Sequence, residues 1–441
     1  MQTQRDHLHA YQFAMGRLAA ALVTGQPGNG GSPHRRGSVG TFFGVVLVLL
    51  LCAGFAVWGL IDPVEKDTWR RPGSIIVEKE TGNRYLLLDG TLRPVRNYAS
   101  ALLLTGASGT VRPVSRDVLA AVPHGSPIGI DNAPDSLPTP DHVASGGWTR
   151  CLRPGLPAGE VLDLTPAGTT PVPAGAAVVV ADRAGHRFVL WRGVKYPAPA
   201  DSTLIALGLD AGRPVTAPDD WLAEVPSGAV LRAPAVPHEG DPAGRIGGRP
   251  VRVGQVLRTS APRGTAYVML KDGIARVTAT EAALLTARPG APAPVTVDAA
   301  SLAAAPTAPE RPATTLPDLR GVPLLGTDGT LLCLRQTTAG VHTTNSLVQE
   351  RGGVLTTGRP ALVAPAHGVL VVDQEDLRAR VASPRTYLID DQGTLFRLSG
   401  RAAQDLRLSG PTTAMPARVL KLLPDGPVLS PDAATATVKE R

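Results

Sequence analysis

What this chain has little of narrows its class before any motif is found. Aromatic residues make up 4% of 441 positions, too few stacking platforms for a single-stranded nucleic-acid surface. The arginines are spread along the chain rather than gathered in blocks. A net charge of +7 therefore describes a mildly basic, solvated surface, and no nucleic-acid partner is expected. No Gly-Lys dipeptide occurs, which excludes the phosphate loop whose backbone amides and lysine cradle a nucleotide. There is no G-x-S-x-G elbow for an acyl-transfer serine. No Cys-x-x-Cys marks a structural zinc or a thioredoxin-like redox site. His238 opens "HEGDP" without the second histidine that a zinc-protease helix needs one turn later. The pairs Asp219-Asp220 and Asp390-Asp391 are adjacent residues in expected turns, so they point apart, unlike a glycosidase pair. The residues alone name no catalytic group, no metal site and no cofactor.

Long apolar runs are also missing, with one exception. Residues 40–61, "GTFFGVVLVLLLCAGFAVWGLI", carry no charge over the length needed to cross a hydrocarbon core of ~30 Å. The run starts too far into the chain for a cleaved secretory signal, and Leu51 before Cys52 is too large for a lipoprotein site. Arg5, Arg17, Arg35 and Arg36 precede it, whereas Asp62, Glu65 and Asp67 follow it. The positive-inside rule then leaves residues 1–39 in the cytoplasm and sends residues 62–441 across. In the short tail, Leu8, Tyr11, Met15, Leu18 and Leu22 recur at steps of three and four, the seam of an amphipathic helix. "TGQPGNGGSP" then breaks it as a hinge.

Three cysteines are present. Cys52 lies in the apolar run; Cys151 and Cys333 are the two left outside, where oxidising conditions permit a bridge. They are expected to form one disulfide.

Glycine (48) and proline (42) make up about a fifth of the chain, against ~12% in average proteins, which favours short strands and turns. "RYLLLDGTLRPV" is a strand, an Asp-Gly turn at Gly90 and a second strand. The same layout recurs in "FVLWRG" with Gly193, "YVMLKDG" with Gly273 and "YLIDDQG" with Gly393, and more weakly in "PLLGTDGTLLCL" with Gly329. Ala- and Leu-rich segments follow, predicting short helices with Asp201 and Thr280 as caps. The reading is mainly β with short helices (α+β). Hairpin-plus-helix units near 73–106, 176–209, 264–287 and 385–410 surround a core that includes 107–160 and 319–340. The Pro- and Ala-rich stretch from 287 to 319 reads as a surface linker. Repeated β units beyond a membrane are also compatible with gripping a cell-wall polymer.

Several stretches together resemble one family. "YQFAMGRLAAALV" precedes the apolar run and "VEKETGNRYLLLDGTLRPVRNYASALLL" follows it; "GIDNAPDSLP", "WTRC" and "GVPLLGTDGTLLCL" come later in the same order. They resemble EccB, the single-span membrane component of actinobacterial type VII (ESX) secretion systems. The resemblance implies a membrane-complex subunit that assembles with the motor ATPase EccC, with EccD and EccE, with a mycosin protease, and with further copies of itself, to export small WXG100-type proteins. It also implies a β-rich outer part with repeat modules and a disulfide at Cys151 and Cys333. Some members are described as ATPases, so ATP and Mg²⁺ enter by family description only.

Overall fold

A computed structural model describes residues 4–24, 34–61, 68–259, 265–309 and 315–437. It divides into two units, Met1–Arg71 and Pro72–Arg441. The first unit holds α-helices Gln4–Thr24 and His34–Ile61. Leu8, Tyr11, Met15, Leu18 and Leu22 are all exposed on the first, and Phe42, Phe43, Leu47, Leu50 and Phe55 on the second. Among the described residues no helix is long and apolar enough to cross a membrane. Side chains on the second helix are described from Gly40 to Phe55, so the run expected at 40–61 extends past them. Most of the hinge after Thr24 and the acidic cluster at 62–67 lie outside the described residues.

The second unit is built from one supersecondary plan used four times. In the first copy Ser74–Glu78, Arg84–Leu88 and Thr91–Pro94 form an antiparallel meander. Helix Tyr98–Thr105 crosses over, and Thr110–Val114 returns parallel to the first strand. A short helix, Arg116–Leu119, follows. The second copy uses Ala177–Ala181, Arg187–Trp191, Val194–Ala198, helix Asp201–Leu207 and Val215–Thr216. The third uses Val256–Arg258, Ala266–Leu270, Gly273–Val277, helix Ala279–Thr286 and Val295–Thr296. The fourth uses Val369–Asp373, Thr386–Ile389, Leu395–Leu398, helix Ala402–Asp405 and Thr412–Met415. Each sheet has the order third, second, first, fourth strand. The parallel fourth strand requires a crossover, and the short helix supplies it.

The hairpin pattern in the sequence shows only the middle of this plan. After a final short helix in each copy (Ala417–Leu420 in the fourth), the chain runs back beside the third strand through isolated parallel bridges: Leu92 to His124 and Val95 to Ile128, Lys195 to Ser227, Ile274 to Thr307, and Leu395 to Asp425 and Leu398 to Leu429. The stretch from 287 to 319 is accordingly not a bare linker. It contributes strand Val295–Thr296 and helix Ala299–Ala303, and it buries Val297, Leu302 and Leu319.

Small residues make that return possible. A Cβ on Gly125 would approach Thr91 to 2.9 Å, one on Gly426 would lie 2.5 Å from the Phe396 ring, and one on Gly228 would strike Tyr196. In the third copy the glycine has changed sides. Ala308 occupies the returning segment, and the facing strand begins with Gly273, whose added Cβ would strike the Pro306 carbonyl.

Asp89-Gly90 and Arg192-Gly193 sit in two-residue turns with φ of 49° and 74°, and 49° and 75°, the positive pair that a type I′ hairpin demands. Gly393, at φ 79°, lies in a longer loop where the Asp390 carboxylate accepts from the amides of Gln392 and Thr394. Gly273 is not in a turn: it pairs with Leu270 as the first residue of the returning strand. Gly329, at φ 68°, turns the chain from the edge of the second module into another sheet, so no hairpin forms there. Two caps also differ from expectation. Asp201 follows the cap Ala200 and pairs with Arg187 at 2.7 Å. Thr278, not Thr280, closes a capping box with Glu281.

A six-stranded sheet lies among the modules. Its order is Ala361–Leu362, Glu160–Asp163, Trp148–Leu152, Leu331–Ala339, His342–Glu350, Thr169–Pro171. Leu152, Leu332 and Leu334 pack on Val178, Leu190 and Trp221 of the second module. Trp148, Leu162 and Leu164 pack on Val371, Ile389 and Met415 of the fourth. The first and fourth modules share a core through Leu86, Leu102, Leu388 and Phe396. The second and third share another through Leu204, Leu207, Ala283 and Leu284.

Gly426→Ala should therefore cost about 1–3 kcal/mol by forcing a methyl against Phe396. Gly358→Ala, with open space around its Cβ, should stay within about 0.5 kcal/mol. Urea unfolding midpoints of the two variants check the difference.

Candidate functional site

The central sheet concentrates the unusual chemistry of the molecule. Cys151 and Cys333 face each other in register across antiparallel strands and are joined, S–S 2.03 Å, over a sequence separation of 182. Both are fully buried, with Val161, Val348 and Val354 around them. Cys52 is free and exposed.

Glu350 ends the strand that pairs with the Cys333 strand, opposite Leu331. It is buried, accepts a hydrogen bond from the Thr149 hydroxyl at 2.5 Å, and places Oε2 3.3 Å from the Cys151 sulfur. Burial, and then a hydrogen bond shared with the Asp163 carboxyl, push its pKa up to about 8, against a smaller downward pull from Thr149 and Arg335. Among the described residues, Cys151, Cys333 and Glu350 are the one group of three ligand-type side chains close enough to share a metal. With the sulfurs bonded to each other the group offers a single carboxylate, which does not suit a metal.

Side chains alternate across a strand, so Arg150 points to the opposite face. It is 0% exposed. Its Nε and Nη2 donate to the two Glu160 oxygens, each at 2.8 Å, and Nη2 also donates to Asp220 at 2.7 Å. Burial pulls its pKa down, but Glu160 and Asp220 outweigh that and hold the guanidinium above its ordinary value. The Trp221 indole N–H donates to the Arg150 carbonyl at 2.9 Å. Asp220 and Trp221 lie on helix Asp219–Ala223 of the second module, so this cluster fixes that module to the sheet. The Asp219-Asp220 pair thus begins a helix rather than lying in a turn.

A second polar chain ties in the fourth module. The Trp148 indole donates to Gln336 at 3.1 Å, Gln336 donates to Asn345 at 3.0 Å, and Asn345 donates to the Glu224 carbonyl at 2.9 Å. Glu224, at the end of the same second-module helix, pairs with Arg418 of the fourth module at 2.5 Å.

The other sequence candidates are not brought together. His238 is exposed, 3.9 Å from Asp241. Asp390 is buried and committed to its own loop amides. A cleft of about 570 Å³ is lined by Glu239, Arg252, Arg288 and Pro289, but Arg288 is already doubly bonded to Glu239. Arg150 escaped the sequence reading, although an arginine beside Cys151 in a strand as apolar as "WTRCL" was a signal. Its partners, 10 and 70 residues away, are not adjacent in any pattern.

The arrangement defines a class: a modular β-rich scaffold, its parts joined by one cystine and by ion pairs in which one partner is buried or largely buried, preceded by two helices. A family model described as type VII secretion system ESX-1, transport TM domain B, matches residues 1–439. The chain belongs to that family, EccB, the membrane component of type VII (ESX) secretion systems. It is 27% identical to the "ESX-1 secretion system ATPase EccB1" of Mycolicibacterium smegmatis, over 98% of this chain and 94% of that one. It is 30% identical to the "ESX-5 secretion system ATPase EccB5" of Mycobacterium marinum, over 68% of this chain and 63% of that one. The fold matches a chain of an intact ESX-5 inner membrane complex with TM-score 0.56, at 24% identity, over 100% of this chain and 96% of that one. It also matches a chain of an EccB3 dimer from the ESX-3 core complex with TM-score 0.52, at 22% identity, over 82% of this chain and 99% of that one.

Two outcomes follow from the buried charges. Arg150→Met strands Glu160 and should cost about 3–5 kcal/mol; adding Glu160→Gln should recover much of it, as denaturant titration will read. Between the ordinary value of 4.5 and the folded value of about 8, folded Glu350 holds a proton that the unfolded chain releases. Its stabilising contribution is complete below about pH 4.5 and is lost as pH rises through about 8. Glu350→Gln should flatten that fall in a series of melts across this range.

Proposed function

We propose that the chain is a structural subunit of a type VII secretion membrane complex and organises its outer side. In this reading residues 4–24 form a cytoplasmic docking helix, residues 40–61 cross the bilayer once, and the modular unit after residue 72 stands beyond the membrane. Its partners are EccC, EccD, EccE, a mycosin-type protease and further copies of itself, and the exported cargo is of the WXG100 type. The observation that carries the reading is the family match over residues 1–439, which includes both helices and the whole scaffold. The interlocked modules and the cystine suit a part that must keep its shape outside the cell.

Relatives carry the word ATPase in their names. The missing Gly-Lys dipeptide and a cleft whose Arg288 is already neutralised favour a scaffold over a hydrolase, and no cofactor belongs to this reading.

Tagged full-length chain, extracted from its own membranes in mild detergent, should migrate in a large complex with the other Ecc components; migration alone would overturn the proposal. Purified chain given Mg²⁺-ATP should show no turnover above background. Turnover abolished by one substitution in this chain would establish the hydrolase instead.

A further inference from the structure

The cystine is buried beside an acid, Glu350. Glu350 and Cys333 belong to one continuous hairpin, Leu331–Ala339 and His342–Glu350, with Leu331 opposite Glu350 and Cys333 opposite Val348. That hairpin is local in sequence, so it delivers the carboxylate and one sulfur together. The strand Trp148–Leu152 then brings Cys151, whose sulfur lies 3.3 Å from Glu350 Oε2. Thr149, on the same strand, donates to the same oxygen at 2.5 Å and fixes its direction. The charged groups acting on Glu350 are Asp163 and Arg335; Val161, Val348 and Val354 pack around the two sulfurs, and Arg153 donates to the Val354 carbonyl.

We infer that Glu350 is the internal base that takes the thiol proton of Cys151 when the Cys151–Cys333 bond closes. The thiolate is the attacking form of cysteine, and exchange passes through a mixed disulfide. Cys333 first gives its thiol proton to solvent, its thiolate attacks a small disulfide oxidant such as glutathione disulfide, and one oxidant sulfur leaves as thiolate. Glu350 then accepts the Cys151 proton. The Cys151 sulfur pair forms the bond to the Cys333 sulfur, and the second oxidant sulfur departs as thiolate. The two cysteine sulfurs have lost two electrons, the oxidant has become two thiolates that take protons from solvent, and the Cys151 proton stays on Glu350.

The finished structure favours that neutral acid, with a pKa of about 8. Raising the carboxyl in this way brings it nearer to a thiol than its ordinary value of 4.5 would, which lessens the uphill cost of the transfer. A carboxylate at its usual value would make it strongly uphill.

The test uses full-length chain in detergent, reduced with a phosphine, freed of it and converted to the Cys333–glutathione mixed disulfide. Closure is followed by alkylation quench and mass spectrometry. At pH 8, where about half of folded Glu350 is ionised, Glu350→Gln should close about tenfold more slowly than wild type, and the deficit should vanish above about pH 10, where the thiol ionises unaided. Asp163→Asn removes a group that raises Glu350, so it should move the inflection of the pH–rate curve to lower pH while leaving both thiols in place. Closure of Glu350→Gln at the wild-type rate, a deficit of equal size at every pH, or an inflection unmoved by Asp163→Asn would each overturn the assignment. The Asp163 variant and wild-type curve keep the test decisive if Glu350→Gln fails to fold.

Discussion

The pairing of Trp148–Leu152 with Leu331–Ala339 is the constraint on which the outer unit depends. These strands come from opposite halves of the chain, and their register puts Cys151 opposite Cys333. Closing a loop of 182 residues removes unfolded-state entropy worth about 5 kcal/mol on the chain-entropy model, an upper figure. That is comparable with the whole net stability of an ordinary domain, about 5–15 kcal/mol. Without this pairing, the second and third modules would be a long excursion between two ends that already share a core through Leu102 and Phe396.

The two faces of this sheet do different work. On one face the cystine lies among Val161, Val348 and Val354 with the buried Glu350 carboxyl beside it. On the other, Arg150 binds Glu160 and Asp220, and Glu224 joins Asn345 and Arg418. Buried ion pairs add little net stability compared with apolar packing, yet losing one partner is expensive. They therefore act on position. If the second module slid along the sheet, Arg150 would lose Asp220 and the Arg150 carbonyl would lose the Trp221 indole, so one docking is strongly favoured over its neighbours. The leucines and valines around them would tolerate such a slide far better.

Much of the fold was legible in the sequence because its strongest signals are local. Asp89-Gly90 and Arg192-Gly193 announce their turns through residues that accept positive φ, and the strands beside them follow from alternation. The fourth strand of each module was not legible. Val215–Thr216 and Val295–Thr296 are two residues long and are defined by a parallel neighbour, not by a pattern of their own. A subtler trace was present: a short leucine-bearing helix ending in proline recurs as "VLAAVP", "WLAEVP", "SLAAAP" and "VLKLLP". The cystine was legible because only two cysteines lay outside the apolar run. The partners of Arg150 and Glu350 were not, since a charge can be paired across any sequence distance once strands are arranged.

The four modules obey one rule of space, and the third shows why it is a rule rather than inherited residue identity. Each module must let a returning segment lie against its third strand, and the contact has room for only one Cβ-bearing partner. Three modules place the glycine in the returning segment, at Gly125, Gly228 and Gly426. The third places it on the strand, at Gly273, and accepts Ala308 opposite. In three modules the absent Cβ would meet a side chain of the third strand, and in the third module it would meet the Pro306 carbonyl of the returning segment. A constraint on the separation of two backbones can be met by either partner, so the sequence repeat is fainter than the structural one. A scaffold built this way can vary its exposed surfaces from module to module while each keeps the same internal plan.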